Sequence, residues 1–184
     1  VVVGDRLYIG MGVAPQPLNK PPRWSYFLCL DMTKKGDVSL KNYDATSVEN
    51  KGSALVWAFG GRMEPKPERG PRTHFGRTAS TAAVHQGLVY ITEENGYLHC
   101  LDAITGNRIW VYDLATAVIG SPYLVKGRVY VGTQDGDVVI FAHTRAARVL
   151  ATIDMDEEID TTPVAANGTL YITTRSKLFA IGSR

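Results

Sequence analysis

The side chains of this 184-residue chain that could carry out chemistry are few and scattered. Four histidines, His74, His85, His99 and His143, fit neither a zinc-ligand spacing nor a Ser-His-Asp arrangement. The two cysteines, Cys29 and Cys100, are each followed by Leu-Asp, and no Cys-x-x-Cys or adjacent Cys-Cys pair occurs. Their matched settings predict two buried free thiols that behave as small hydrophobes. Hard cations such as Ca²⁺ want clustered oxygens. The densest acidic run, Asp154-Met155-Asp156-Glu157-Glu158-Ile159-Asp160, has neither the glycine nor the ligand spacing of a calcium loop. It reads as a solvated connection, and Asp135-Gly136-Asp137 reads as a hairpin turn. Nucleophile elbows, phosphate-binding glycine loops and paired catalytic carboxylates find no support. The three tryptophans, Trp24, Trp57 and Trp110, fit loop positions or positions where packed layers meet.

Charge adds little. Lysine plus arginine number 20 and aspartate plus glutamate 18, which argues against a nucleic-acid binder or a protein held on an anionic membrane. With 45% hydrophobic and 21% charged residues the composition is that of a globular chain. No apolar run approaches the ~18 residues that span a bilayer. Neither an initiating methionine nor a charged-then-apolar leader is visible, and that carries no information on export, because the true N-terminus can lie upstream.

The elements that must position these residues form a repeat. Gly87-Leu88-Val89-Tyr90 returns as Gly127-Arg128-Val129-Tyr130 and as Gly168-Thr169-Leu170-Tyr171, at intervals of 40 and 41 residues. Gly4-Asp5-Arg6-Leu7-Tyr8 opens the chain as a fourth copy. Periods near 40 with several strands per unit point to β-propeller blades. Each later unit starts with Ser/Thr beside a small residue or proline (Ser80-Thr81-Ala82, Gly120-Ser121-Pro122, Thr161-Thr162-Pro163). A short strand, a tight turn and a β-branched strand follow. Asn95-Gly96 and Asp135-Gly136 then predict two-residue hairpins with positive φ at both central positions. The last unit has Arg175-Ser176 there, which predicts a different loop. Four antiparallel strands make a blade, no helix-length amphipathic pattern occurs, and the fold class is all-β.

The expected units are roughly 1–76, 77–116, 117–157 and 158–184. The first carries long Pro-rich and charged insertions, 11–24, 32–54 and 62–77, of the kind that form recognition surfaces. The chain reads as beginning at the second strand of one blade and ending after the third strand of another. That predicts the C-terminal blades of a seven- or eight-bladed propeller, closed by upstream blades or by another chain. Residues just before each innermost strand approach a propeller axis. There Arg77 and Asp160 are polar where Ala117, and Ala79 and Ile119, of sister units are apolar, and they are candidates for lining an axial mouth.

The stretch Leu101 to Trp110, with Asp102, Thr105, Gly106 and Trp110, resembles the Asp-x-x-Thr-Gly-x-x-x-Trp core of pyrroloquinoline-quinone-like (PQQ-like) propeller repeats. The first unit resembles a variant in which Asp31, Gly36 and Trp57 are spread by insertion, and the third has Ala142 in place of the aspartate. The resemblance implies that Asp102, Thr105 and Gly106 shape a turn and that Trp57 and Trp110 dock neighbouring blades. It covers quinoprotein dehydrogenases, outer-membrane assembly lipoproteins and propellers of other roles, whose bacterial members are mostly extracytoplasmic. The dehydrogenases hold PQQ between a tryptophan floor and a vicinal disulfide, with Ca²⁺ beside it, and this sequence has no such cysteine pair. The expectation is therefore a non-catalytic binding or scaffolding module that takes a protein or small ligand at residues 11–77 or at the axial mouth. A fragment of a PQQ- and Ca²⁺-dependent alcohol or sugar dehydrogenase is the alternative.

Overall fold

In the computed structural model, residues 1–11, 23–37, 41, 47–63 and 75–182 are described. Fifteen strands assemble into four antiparallel sheets. Blade 1 contains β1 (Val2–Val3), β2 (Arg6–Met11), β3 (Arg23–Asp31) and β4 (Leu55–Met63). Blade 2 contains β5 (Ala83–His85), β6 (Leu88–Thr92), β7 (Tyr97–Asp102) and β8 (Arg108–Asp113). Blade 3 contains β9 (Tyr123–Val125), β10 (Arg128–Gly132), β11 (Asp137–Ala142) and β12 (Val149–Asp154). Blade 4 contains β13 (Val164–Ala166), β14 (Thr169–Thr173) and β15 (Leu178–Gly182). A 3₁₀ turn, Val48–Asn50, is capped by the Ser47 side chain, which accepts from the Glu49 N–H.

Two details correct the sequence reading. Blade 1 does not begin at its second strand, because Val2 and Val3 pair with Leu7 and Arg6 as a two-residue β1. So short a strand carries no legible periodicity. The second correction concerns turn type. Gln86-Gly87, Lys126-Gly127 and Asn167-Gly168 have positive φ at both residues, the backbone of a type I′ hairpin. At Asn95-Gly96 and Asp135-Gly136 only the glycine does. There the loop is one step longer, closed by Gly96 N–H to the Glu93 carbonyl (2.9 Å) and Gly136 N–H to the Thr133 carbonyl (3.1 Å). A turn followed by a left-handed glycine matches the strand twist as well as a two-residue loop does.

The core lies between blades, since period-two alternation gives each strand one face toward each neighbour. Tyr8, Phe27, Cys29 and Trp57 of blade 1 meet Ala82, Val89, Ile91 and Leu101 of blade 2. Tyr90, Leu98, Cys100 and Trp110 then meet Val118, Val129, Val131 and Phe141. Tyr130 and Val138 of blade 3 meet Ile159 and Ile172. The Ser/Thr residues that open the units join the blades at their starts. Thr81 N–H donates to Ser121 Oγ, and Ser121 N–H donates to Thr162 Oγ1, both at 2.9 Å.

Candidate binding surfaces and the residues that hold them

The tryptophans and the motif around Asp102 work together at the blade boundaries. Asp102 Oδ1 accepts from the Ile104 and Thr105 backbone N–H groups and from the Thr105 hydroxyl, at 3.1 to 3.2 Å. The Thr105 amide, foremost among these donors, holds the Asp102 carboxyl below its ordinary pKa, helped by Arg145 at 3.1 Å. Asp31 does the same in blade 1, accepting from the Thr33 hydroxyl at 2.7 Å and the Thr33 N–H at 2.9 Å. The turn thus fixed puts Gly106 (φ +73°) against the Trp57 ring, where an added Cβ would lie 2.5 Å from Cδ2. Trp57 Nε1–H donates to the Ala103 carbonyl at 3.0 Å, and Trp110 Nε1–H donates to the Thr144 carbonyl at 3.3 Å. Each indole therefore bridges from one blade to the next.

Arg77 and Asp160 are not brought together as a pair. Arg77 Nε lies 2.9 Å from Glu94 Oε1, and Asp160 Oδ1 accepts from Gln134 Nε2 at 3.0 Å. The polar row has a backbone cause. The N–H groups of Glu94, Gln134 and Arg175, in equivalent turns, donate to the carbonyls of Arg77, Ala117 and Glu158 at 2.9 to 3.1 Å. Side chains at these two rows are consequently neighbours, as Arg77 with Glu94 and Glu158 with Arg175 (3.7 Å) show. A shallow hollow of about 300 Å³ lies along the unit starts, lined by Val1, Thr81, Ala83, Ser121, Pro122 and Thr162. Neither Arg77 nor Asp160 lines it.

The acidic run is divided among separate contacts. Glu157 clasps the last hairpin loop, accepting from the hydroxyls of Thr174 and Ser176 (both 2.7 Å) and the Ser176 N–H (3.0 Å). Those bonds, the Thr174 hydroxyl first, draw its carboxyl down to about 2. Asp154 Oδ1 accepts from the Asp156 N–H at 2.8 Å, while Glu158 and Asp160 hold the partners given above. Among the described residues no group of three or more His, Cys, Asp or Glu side chains is placed to hold a metal ion.

Several polar contacts were not anticipated from sequence. His99 Nε2 and Glu93 Oε1 lie 2.7 Å apart, both side chains fully buried, with the rings of Phe59 and Phe75 edge-on to the imidazole. The one available signal was Glu93, which follows Thr92 where sister units carry Thr133 and Thr174. Cys29 and Cys100 are free and buried in separate blades. Burial raises both thiols, Cys100 to about 12. Tyr90 hydroxyl lies 2.9 Å from His143 Nδ1, and the His143 and His85 rings are 5.3 Å apart. His74 and the prolines of both long insertions lie outside the described residues, as does much of the recognition surface proposed at 11–77.

Four antiparallel blades, docked face to face through aromatic side chains and indole-to-carbonyl bonds, define a β-propeller protein of the PQQ-like class. The chain belongs to the family described as "Outer membrane protein assembly factor BamB", which it matches over residues 41–150. Among solved structures it is similar to BamB from Moraxella catarrhalis, with a TM-score of 0.59 and 16% identity over 87% of this chain. It is also similar to a europium-containing methanol dehydrogenase, with a TM-score of 0.52 and 18% identity over 82% of this chain. These likenesses show the fold. A curated relative, the quinohemoprotein alcohol dehydrogenase of Comamonas testosteroni, is 34% identical over 71 residues, 33% of this chain. The chain spans 10% of that relative's length and 42% of the Moraxella BamB chain. No helix among the described residues is long and apolar enough to cross a membrane.

Proposed function

We propose that this chain is a non-catalytic, extracytoplasmic binding module of the BamB-like kind. Its partner is a protein or small ligand that it meets at residues 11–77 and along the axial hollow, with Arg77 and Asp160 at the axial end of the blades. The observation that carries the reading is the use made of Trp57 and Trp110. Two of the three tryptophans from which a stacking floor could be drawn have their indole N–H groups bonded to the carbonyls of the next blade. The remaining groups support it. Cys29 and Cys100 are not adjacent in sequence and lie buried in separate blades, so they cannot form a vicinal disulfide. The carboxylates of Asp154, Glu157, Glu158 and Asp160 are engaged by separate neighbouring donors, and among the described residues no group of three or more His, Cys, Asp or Glu side chains is placed to hold Ca²⁺. These features support a reading in which the described residues do not themselves hold PQQ with its calcium ion.

The likeness to the Comamonas dehydrogenase favours a second reading, a piece of a quinoprotein alcohol or sugar dehydrogenase whose cofactor is held by other blades. One titration separates the two. The full-length protein is mixed with PQQ and Ca²⁺ while tryptophan fluorescence and dye-linked alcohol or sugar oxidation are followed. The binding-module reading expects neither saturable quenching nor turnover. Saturable quenching accompanied by turnover would overturn it.

A further inference from the structure

We propose that His85 and His143 form a two-imidazole site for a borderline transition-metal cation, Zn²⁺, Ni²⁺ or Cu²⁺, where blades 2 and 3 meet. His85 ends β5 and is exposed, while His143 follows β11 and is half-buried. A metal–nitrogen bond of about 2.0–2.1 Å places each ligating ring centre about 3.2 Å from the ion. Two such rings at a tetrahedral angle have centres about 5.2 Å apart. The observed separation is 5.3 Å, with the ring planes tilted by 45°.

The fold does not require imidazoles here. Strand register makes Val3 the counterpart of His85 in blade 1, and Val125 and Ala166 its counterparts in blades 3 and 4. The counterpart of His143 in blade 2 is Ala103, the residue after Asp102, as His143 follows Ala142. Both backbone N–H groups make the same bond, Ala103 to the Gly87 carbonyl and His143 to the Gly127 carbonyl, at 2.9 Å. Apolar residues thus suffice at this corner elsewhere, Met32 in blade 1 among them, and among the described residues the boundary between blades 2 and 3 alone carries two histidines.

The surroundings suit ligation. Imidazole binds Zn²⁺, Ni²⁺ and Cu²⁺ through a neutral ring nitrogen. Metal-binding histidines are commonly held through the second ring nitrogen. Here Tyr90 hydroxyl holds His143 Nδ1 at 2.9 Å, which leaves Nε2 as the ligating atom. For Nε2 to present its lone pair, Nδ1 keeps the proton and donates to the Tyr90 oxygen. The Tyr90 proton then turns to the Cys100 sulfur, while the Tyr90 oxygen also accepts from the Thr144 backbone N–H. Arg145, the nearby fixed cation, is held by Asp102 at 3.1 Å. Water completes the coordination sphere, so the site binds reversibly, with a Kd on the order of micromolar.

The test is a Cu²⁺ titration of the full-length protein at pH 7, followed by quenching of Trp110, whose ring lies 5.8 Å from that of Tyr90. The expected result is saturable 1:1 quenching that weakens at least about tenfold in His85→Ala and in His143→Ala, and is unchanged in His74→Ala. His85→Ala alters an exposed turn residue, so it keeps the test valid if His143→Ala impairs folding. Absence of saturable binding, or binding that survives His85→Ala, overturns the proposal. Neither result bears on the PQQ titration, because the two ligating histidines play no part in that argument.

Discussion

Replacing Trp110 tests the blade-docking argument most directly. The side chain is 9% exposed, its ring stacks on Phe141 with centres 5.9 Å apart, and it tilts against Tyr90 at 5.8 Å. An aromatic side chain of this kind buries about 150–250 Å², and at about 25 cal/mol per Å² that is worth ~4–6 kcal/mol. Part of this burial survives as the alanine methyl and as local collapse. Trp110→Ala should therefore cost about 3–5 kcal/mol, the usual range for a large aromatic truncated in a core. Trp110→Phe keeps most of the stacking but loses the 3.3 Å bond to the Thr144 carbonyl, at a cost of about 1–2 kcal/mol. The assay is guanidinium unfolding followed by far-ultraviolet circular dichroism, with the midpoint compared at constant m. Thermal midpoints should fall by roughly 10 °C for the alanine variant, given about 2–4 °C per kcal/mol at this chain length. A loss below about 1 kcal/mol for Trp110→Ala would place the indole outside the load-carrying interface and refute the blade register.

Two further outcomes follow from single residues. Gly106→Ala should lose about 2–4 kcal/mol by the same assay, combining strain at φ +73° with collision against Trp57, whereas Gly87→Ala, at φ +79° with open space around it, should lose only the strain, about 1–2 kcal/mol. Glu157 has a folded pKa drawn down to about 2 from an ordinary 4.5, so its contribution is complete above pH 4.5 and is lost as pH falls toward 2. Hydrogen-exchange protection of the Ser176 amide should fall through that window in the parent protein and be low throughout in Glu157→Gln.

The repeat was legible because it is written in backbone requirements. A glycine at positive φ followed by β-branched and aromatic residues marks the second strand of every blade, and Gly87, Gly127 and Gly168 each sit at φ +70° to +79°. What escaped were features that depend on a neighbour in space. Val2 and Val3 become a strand only because β2 offers them a partner. Asn95-Gly96 suggests a two-residue turn by its letters, yet the bond from Gly96 N–H to the Glu93 carbonyl selects a longer loop. Arg77 and Asp160 stood out by polarity, but their partners, Glu94 and Gln134, come from turns whose proximity only the folded blades reveal. For the buried pair of His99 with Glu93, six positions earlier, the sequence offers only the glutamate that replaces the threonine of sister units.

The loss of the repeat motif in blade 3 shows which parts of it the fold needs. Ala142 stands where Asp102 would, and strand register places Ala151 opposite Ile140 where Trp110 lies opposite Cys100. The fourth strand still forms, because β12 pairs with β11 through backbone bonds that no side chain supplies. Blade 4 still docks, with Ile159 and Ile172 buried against Tyr130 and Val138, and Tyr123 hydroxyl donates to the Ala165 carbonyl at 3.3 Å across the boundary. A blade therefore needs a packed apolar layer and a donor reaching the next blade's backbone, whether indole or phenol. The Asp-Thr-Gly-Trp series is one solution to that physical requirement, which is why its presence identifies a fold and leaves the reaction, if any, to residues elsewhere.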